Sequence, residues 1–209
     1  MKRILIGDDH SVVRRGLIEI LEDEFKKVTI GEAATAAEVT EKVRADNWDI
    51  LILDVNLPGR SGLDVLADLR SAGAQLPILM LSMHPEDQFA LRALKAGASG
   101  YLSKDSASDE LLKAVKKILE GGKYVSPALA EKLAMNLADN SGNALHESLS
   151  DREFQVLRMI ANGKTVGEIA ETLSLSVKTI STYRTRLLEK LRMKTNAELT
   201  RYGIENKLV

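Results

Sequence analysis

The chain has 209 residues and a formal net charge of −1, with 44% hydrophobic residues, 28% charged residues and no cysteine. This composition excludes disorder as the main state, and the lack of cysteine excludes disulfides, zinc–thiolate sites and thiol catalysis. No apolar stretch is long enough to cross a bilayer and the N-terminal apolar run is too short for a signal peptide, so we expect a cytoplasmic protein with no membrane partner.

Before the last third of the chain, short apolar runs alternate with amphipathic helical segments. The apolar runs predict five strands, at 3–7, 28–32, 49–54, 77–82 and 100–103. Helical spacing predicts a helix with Val13, Leu17, Ile20 and Leu21 on one face, followed by helices at 36–45, 62–72, 86–96 and 108–120. The alternation predicts an α/β, doubly wound, five-stranded parallel sheet of the flavodoxin-like kind, with functional groups at the carboxyl ends of the strands.

The remaining residues show no strand pattern. Ser126-Pro127 predicts the start of a short helix to about residue 137, and the polar stretch 139–146 predicts a flexible linker. Helical segments at 151–161, 166–173, 177–191 and 197–206 predict an all-α four-helix domain. We therefore expect a first domain at 1–122, a linker at 123–146 and a second domain at 147–209.

The two predicted domains differ in charge. Residues 147–209 contain 11 Lys and Arg against 8 Asp and Glu, whereas the residues before them contain 18 against 22. An acidic first part and a basic last part indicate two modules with different partners.

Carboxylates end two strands that neighbour each other in a doubly wound sheet. Asp8 and Asp9 follow the first strand and Asp54 ends the third. Three converging carboxylates repel one another, so a cation is expected, and all-oxygen ligation favours Mg²⁺. Lys104 after the fifth strand supplies a second positive charge, and Ser82 at the end of the fourth supplies a hydroxyl. A single aspartate at the end of a strand is more often a helix cap. Helix capping does not explain the whole set, in which each residue follows a predicted strand in order.

This set suits transfer of a phosphoryl group to a carboxylate. Asp54 would be the nucleophile, and Mg²⁺ would screen the charges of the carboxylate and of the incoming oxygens. Lys104 and Ser82 would then bind the oxygens of the aspartyl phosphate.

Residues 1–122 resemble the receiver domain of two-component systems, through Asp8-Asp9, Asp54 in DVNLPGRSG, Ser82, Tyr101 and Lys104. The resemblance implies that a sensor histidine kinase phosphorylates Asp54. It also implies that Asp9, Asp54 and the backbone carbonyl of Asn56 ligate Mg²⁺, with Asp8 helping through water. Ser82 and Tyr101 would form a switch pair in which Tyr101 turns inward. A half-buried edge-strand aromatic is an equally good reading of Tyr101. Asn56 and His84 are expected beside the phosphate entrance.

The last third carries a helix-turn-helix pattern. Ser150 or Asp151 can cap its first helix with Glu153, and Gly163 ends that helix. A short helix, the turn Ser174-Leu175-Ser176 and a longer helix capped by Ser176 then follow. The longer helix and the residues after it carry six basic residues, Lys178, Arg184, Arg186, Lys190, Arg192 and Lys194, against the single acid Glu189. A basic helix is usually only a solvated face, but in this position it indicates binding of double-stranded DNA.

Residues 147–209 resemble the LuxR/NarL/FixJ class of DNA-binding domains, through LSDRE, IANGKTVGEIAETLSLSVKTIS and EKL. The resemblance implies that the third helix enters the major groove and that the fourth helix contributes to homodimerisation on DNA. The candidates for reading base edges are Ser181, Thr182 and Thr185. The candidates for phosphate contacts are Lys178, Thr179, Tyr183, Arg184 and Lys190.

Together the two halves predict a DNA-binding response regulator that is not an enzyme. One alternative is a Mg²⁺-dependent aspartyl-phosphate phosphatase of the haloacid-dehalogenase kind. Such enzymes carry a second aspartate two residues after the nucleophile, where this chain has Asn56. The other alternative is a DNA-binding regulator that works without phosphorylation.

Overall fold

The structure is a computed structural model that describes residues 1–83, 86–106, 108–131, 145–206 and 208–209, with the backbone alone at 86–88, 147 and 151. The chain divides into two units, Met1–Asp139 and Asn140–Val209. We call them the first unit and the second unit. The predicted flexible linker lies mostly outside the described residues, as does His84.

The first unit contains a five-stranded parallel sheet in the order β2-β1-β3-β4-β5. Its strands are β1 (Lys2–Gly7), β2 (Val28–Ala33), β3 (Ile50–Asp54), β4 (Ile78–Ser82) and β5 (Gly100–Ser103). The helices are α1 (Ser11–Glu24), α2 (Ala36–Ala45), α3 (Gly62–Ser71), α4 (Glu86–Lys95) and α5 (Ser108–Leu119). The predicted α/β doubly wound fold is confirmed.

The two central strands are buried along their whole length. Every residue of β3 and β4 is buried, as expected for strands covered by helices on both faces. A core of aliphatic side chains from β1, β3 and β4 packs against α1 and α5. This packing holds the strand ends rigidly, and the predicted site residues lie at those ends.

The turn after β3 depends on Gly62. Its backbone N–H donates to the carbonyl of Val55 at 2.8 Å, and a Cβ at this position would lie 2.0 Å from the carbonyl oxygen of Asp54. Ser61 caps α3 in a capping box with Asp64. Because Gly62 has no side chain, α3 can begin directly against the carbonyl of Asp54.

The segment after α5 is built into the first unit. Tyr124 forms a parallel bridge with Gly100 of β5, and its N–H donates to the carbonyl of Ser99 at 2.8 Å. Residues 127–131 are helical, which agrees with the start of the predicted short helix, and Leu129 is buried. The remainder of that predicted helix lies outside the described residues. Tyr124, predicted as part of the linker, therefore packs with the sheet.

The described residues of the second unit form helices joined by short turns. A 3-10 turn (Leu145–Ser148) precedes α6 (Asp151–Ala161), α7 (Val166–Thr172), α8 (Val177–Lys190) and α9 (Asn196–Glu205). The predicted caps are confirmed at Ser150, which forms a capping box with Glu153, and at Ser176. Gly163 follows α6 with a positive φ of 82°, the left-handed ending that favours glycine.

Among the described residues, no helix is both long and apolar enough to cross a bilayer.

Two glycines offer a matched test of the packing around Asp54. Gly62→Ala places a methyl group against the Asp54 carbonyl, and we expect it to lower the free energy of unfolding by at least about 2 kcal/mol. Gly16 lies inside α1, and an added Cβ there would have open space around it. We expect Gly16→Ala to raise the free energy of unfolding by about 0.5–1 kcal/mol. Urea denaturation followed by fluorescence of Trp48, the chain's one tryptophan, measures both. Equal effects of the two substitutions would contradict the packing argument.

Candidate functional site

Three strand ends of the first unit meet at one buried cluster. Asp8 follows β1, Asp54 ends β3 and Lys104 follows β5. The Nζ of Lys104 lies 2.6 Å from Asp8 Oδ2 and 2.8 Å from Asp54 Oδ2. The side chains of all three are at most 6% exposed. We call this cluster, with Asp9 at its rim, the acidic pocket.

The charges of the acidic pocket perturb one another. Burial raises the pKa of Asp54 to about 6, although Lys104 opposes the rise by favouring the ionised carboxylate. Burial also opposes the charge on Lys104, but Asp54 and Asp8 outweigh it, so the pKa of Lys104 is raised. At neutral pH Asp54 is therefore mainly ionised beside the protonated Lys104.

The acidic pocket has ligands for a metal ion. One ligand atom from each of Asp8, Asp9, His10 and Asp54 lies within 4.8 Å of the others. The buried Asp54 carboxylate meets the ammonium of Lys104 and the backbone N–H of Asn56, and both favour its ionised form. Carboxylate oxygens this close to one another are suited to hold a hard cation. Asn56 lies two residues beyond Asp54, in a turn closed by a bridge between Asn56 and Ser61.

Arg14 fixes the loop that carries the aspartate pair. Its Nη1 donates to the carbonyl of Asp8 at 2.7 Å, and its Nε donates to Glu32 Oε2 at 3.0 Å. The arginine thus ties the end of β1 to the end of β2. Sequence reasoning missed this role, although an arginine one turn into α1 after Asp-Asp was visible in the sequence.

The residues predicted as a switch pair are both fully buried. Ser82 is the last residue of β4 and Tyr101 lies in β5. The carbonyl of Ser82 accepts the backbone N–H of Lys104 at 2.7 Å, so Ser82 and Lys104 are joined through the backbone. Tyr101 is 0% exposed, so the half-buried aromatic that the sequence also allowed is not what the structure has.

The second candidate site is one face of α8 in the second unit. Lys178, Ser181, Thr182 and Thr185 are exposed and share the i, i+3, i+4, i+7 spacing of one helix face. We call these four side chains the α8 surface. Ile180 and Leu187 are buried on the opposite side, where they pack the helix into the unit.

Several side chains of α8 predicted to contact DNA have partners within the second unit. The hydroxyls of Thr182 and Thr185 donate to backbone carbonyls four residues earlier, at 3.0 Å in both cases. Arg184 Nε donates to Asn196 Oδ1 at 2.6 Å, and Thr179 donates its backbone N–H to the Ser176 hydroxyl. Tyr183 is half-buried.

Lys190 is held by a buried acid. Its Nζ lies 2.7 Å from Oε2 of Glu153, whose side chain is 3% exposed. Burial opposes ionisation of Glu153, but Lys190 and the N–H of Ser150 outweigh it, so the pKa of Glu153 is lowered. Sequence reasoning missed this pair, and it gives Lys190 a structural partner besides the predicted phosphate.

Comparison with known proteins matches both units. The family model described as response regulator receiver domain matches residues 4–116, and that described as bacterial regulatory proteins, luxR family, matches residues 147–203. The chain is 34% identical over its whole length to the response regulator UvrY of Escherichia coli K12, covering 96% of UvrY. It is 32% identical to the response regulator GacA of Pseudomonas aeruginosa PAO1, covering all of this chain and 98% of GacA.

A solved structure matches nearly the whole chain as well. RcsB of Salmonella enterica serovar Typhimurium, bound to promoter P1flhDC in the presence of the phosphomimetic BeF3−, matches with a TM-score of 0.61. The identity is 26%, over 96% of this chain and 97% of RcsB.

The raised pKa of Asp54 predicts a pH-dependent cost to stability. Because the folded pKa of about 6 lies above the ordinary value of 3.8, ionised Asp54 destabilises the fold above pH 6 and has no such effect below pH 4. We expect Asp54→Asn to raise the free energy of unfolding by about 1–3 kcal/mol at pH 7.5 and by little at pH 4. Asp68→Asn, at an exposed ion pair with Arg60, is the control. A stabilisation of equal size at both pH values would contradict the assignment.

The Glu153–Lys190 pair predicts that Lys190→Met weakens the second unit. Removing the ammonium leaves a buried carboxylate, and we expect a loss of about 2 kcal/mol, less than for a fully buried pair because Lys190 is 42% exposed. Hydrogen exchange of peptides from α6 and α8 measures the local stability. The double variant Glu153→Gln/Lys190→Met should recover part of the loss. If Lys190 acts mainly as a contact to DNA, Lys190→Met leaves the hydrogen exchange of α6 and α8 unchanged. The slope of the logarithm of the DNA-binding constant against the logarithm of the salt concentration then falls by about one.

Proposed function

The chain belongs to the response regulators that join a receiver domain to a LuxR-type DNA-binding domain, and on that basis we propose that phosphorylation of Asp54 controls its binding to DNA. The observation that carries the proposal is the pairing of buried Lys104 with Asp8 and Asp54 at three strand ends. In this reading the partners are a sensor histidine kinase and double-stranded DNA. The protein is a cytoplasmic regulator and not an enzyme.

Asp54 accepts the phosphoryl group in this proposal. An oxygen of the Asp54 carboxylate attacks phosphorus, the new O–P bond forms, and the N–P bond of the kinase phosphohistidine breaks with its electron pair going to the imidazole. A pKa of about 6 leaves Asp54 ionised at neutral pH, which the attack requires. Lys104 already contacts the carboxylate and neutralises part of the charge that gathers on the phosphoryl oxygens.

A Mg²⁺ ion fits the acidic pocket. Asp9, Asp54 and the backbone carbonyl of Asn56 would hold it directly, with Asp8 helping through water. The close approach of the carboxylates supports this assignment. When bound, the ion supplies positive charge that lets a carboxylate and a phosphoryl group approach each other.

Ser82 and Tyr101 transmit the change in this proposal. Ser82 is joined to Lys104 through a backbone hydrogen bond, and Tyr101 lies in the same strand that leads to Lys104. A phosphoryl group bound by Lys104 and the Ser82 hydroxyl would bias an existing equilibrium between two arrangements of β4 and β5. Because Ser82 lies on β4 and Tyr101 lies on the neighbouring strand β5, the change would pass between adjacent strands.

The α8 surface reads DNA in this proposal. Thr182 and Thr185 use their hydroxyl hydrogens within the helix, so toward bases they offer a hydroxyl oxygen as acceptor and a methyl group. Lys178 and Ser181 complete the surface, and Arg184 and Lys190 serve partly to hold α8 in place. That the solved relative RcsB was bound to a promoter supports the same use of this chain.

We also infer a homodimer on DNA or after phosphorylation. Ile204 of α9, a helix that packs against α6, is 61% exposed and is available for a contact between two copies. That the solved relative RcsB forms dimers bound to DNA supports the same assembly for this chain.

The test is DNA affinity at fixed salt, for wild type and Asp54→Ala, each with and without acetyl phosphate and Mg²⁺. We expect the phosphodonor to tighten binding of the wild type by about tenfold, within the usual range of coupling free energies, and to leave Asp54→Ala unchanged. The probe is a fragment upstream of the protein's own gene, with a selected-sequence pool as a second source. Equal binding by both proteins, with no response to the phosphodonor, would favour the regulator that works without phosphorylation.

A further inference from the structure

Two threonines of the α8 surface commit the hydrogen of their hydroxyl group to the helix itself. Thr182 Oγ1 donates to the carbonyl of Lys178 at 3.0 Å, and Thr185 Oγ1 donates to the carbonyl of Ser181 at 3.0 Å. A hydroxyl has a single hydrogen, so neither side chain has a donor left for another molecule. Both threonines are exposed, and each offers a partner only an acceptor oxygen and a methyl group.

The bond to the preceding turn also selects the rotamer of each threonine. A threonine in a helix divides between two χ1 rotamers, because its hydroxyl can bond a carbonyl one turn earlier. With that bond made, the oxygen and the methyl group of Thr182 and Thr185 have set directions relative to the helix. Ile180 and Leu187 are buried on the opposite side and hold the helix in place. The two threonines therefore present the same pattern of groups twice, three residues apart.

The major-groove edges of the base pairs differ in how well they match this pattern. Guanine presents the acceptors N7 and O6, which repel an acceptor oxygen, whereas adenine N6 and cytosine N4 present donors and thymine presents a methyl group. Only an A·T pair has both a donor and a methyl group on its major-groove edge. Three residues of a helix rise about 4.5 Å and neighbouring base pairs lie about 3.4 Å apart, so Thr182 and Thr185 are spaced for two adjacent base pairs.

We propose that Thr182 and Thr185 make the protein select two adjacent A·T base pairs, because each threonine accepts a hydrogen bond from adenine N6, packs on the thymine methyl group and repels guanine. The proposal rests on the proposed function, in which α8 enters the major groove, and it adds the bases that this helix selects. Lys178 is exposed one turn before Thr182 and carries only donors. Its attraction to phosphate oxygens adds affinity without changing the selection.

Selection of bound fragments from a random DNA pool by the full chain tests which bases are read. The selection is made with and without acetyl phosphate and Mg²⁺, so that the result does not depend on phosphorylation. We expect A·T pairs at two adjacent positions, and a G·C pair at either position should weaken binding at least about fivefold, the lower end of the usual cost of a mismatched pair. Thr182→Val and Thr185→Val keep the shape and remove the acceptor oxygen. Each should at least halve the G·C penalty at its own position and leave the other position unchanged.

Deoxyuridine tests the methyl contact, since it differs from thymidine only by the missing C5 methyl group. We expect the wild type to bind a probe with deoxyuridine at either position about fourfold more weakly, the value of one buried carbon group. Thr182→Ser and Thr185→Ser keep the hydroxyl and lack the methyl group, so each should be insensitive at its own position. Thr172→Val in α7 is the matched control, because the Thr172 hydroxyl donates to the carbonyl of Glu168 at 2.7 Å in the same way. It should leave the base preferences unchanged.

Failure of this proposal differs in outcome from failure of the proposed function. If the wild type binds all fragments alike under both conditions, α8 reads no sequence and the proposed function is wrong as well. A selected site with guanine at the positions that respond to Thr182→Val and Thr185→Val overturns the proposal and leaves DNA binding by α8 standing. Equal weakening of the wild type and the serine variants by deoxyuridine also overturns it, because another side chain then contacts the methyl group.

Discussion

The first unit depends on one buried ammonium placed between two buried carboxylates. Lys104 lies 2.6 Å from Asp8 and 2.8 Å from Asp54, and the three residues follow or end three different strands. In a medium of low dielectric, two carboxylates this close would repel strongly without a cation. The contact therefore offsets part of the cost of burying Asp54, and it favours the ionised form of this proposed phosphoacceptor. Stability and reactivity share this interaction, so substitutions of Lys104 or Asp54 alter both.

The strand ends could be predicted because they follow from topology. An apolar run followed by Asp-Asp, Asp, Ser or Lys indicates a buried strand and its carboxyl end, and in a parallel sheet all such ends lie on one edge. The predicted bounds of most strands and helices differ from the observed ones by one residue. The acidic pocket follows from that pattern without any knowledge of side-chain positions.

Contacts between side chains far apart in the chain could not be predicted in the same way. The partner of Lys190 is Glu153, 37 residues away, and the partner of Arg184 is Asn196. Sequence periodicity indicates which face of α8 is polar, but it does not distinguish a cation facing DNA from one facing a buried acid. The α8 surface is consequently smaller and less basic than the sequence indicated. Its specificity would come from hydroxyl and methyl groups whose orientation is fixed by bonds within the helix.

The position of β5 connects the pocket to the chain that follows it. β5 is an edge strand, yet Tyr124 bridges to Gly100, and a Cβ on Gly100 would lie 2.9 Å from the Tyr124 carbonyl oxygen. Tyr124 thus covers the Gly100 end of the free edge, where pairing would otherwise be open. Tyr101 is the next residue in β5, and Lys104 follows the strand's end. A shift of β5 that answers a change at Lys104 would therefore also displace the backbone of Tyr124, which bridges Gly100 and donates to the carbonyl of Ser99.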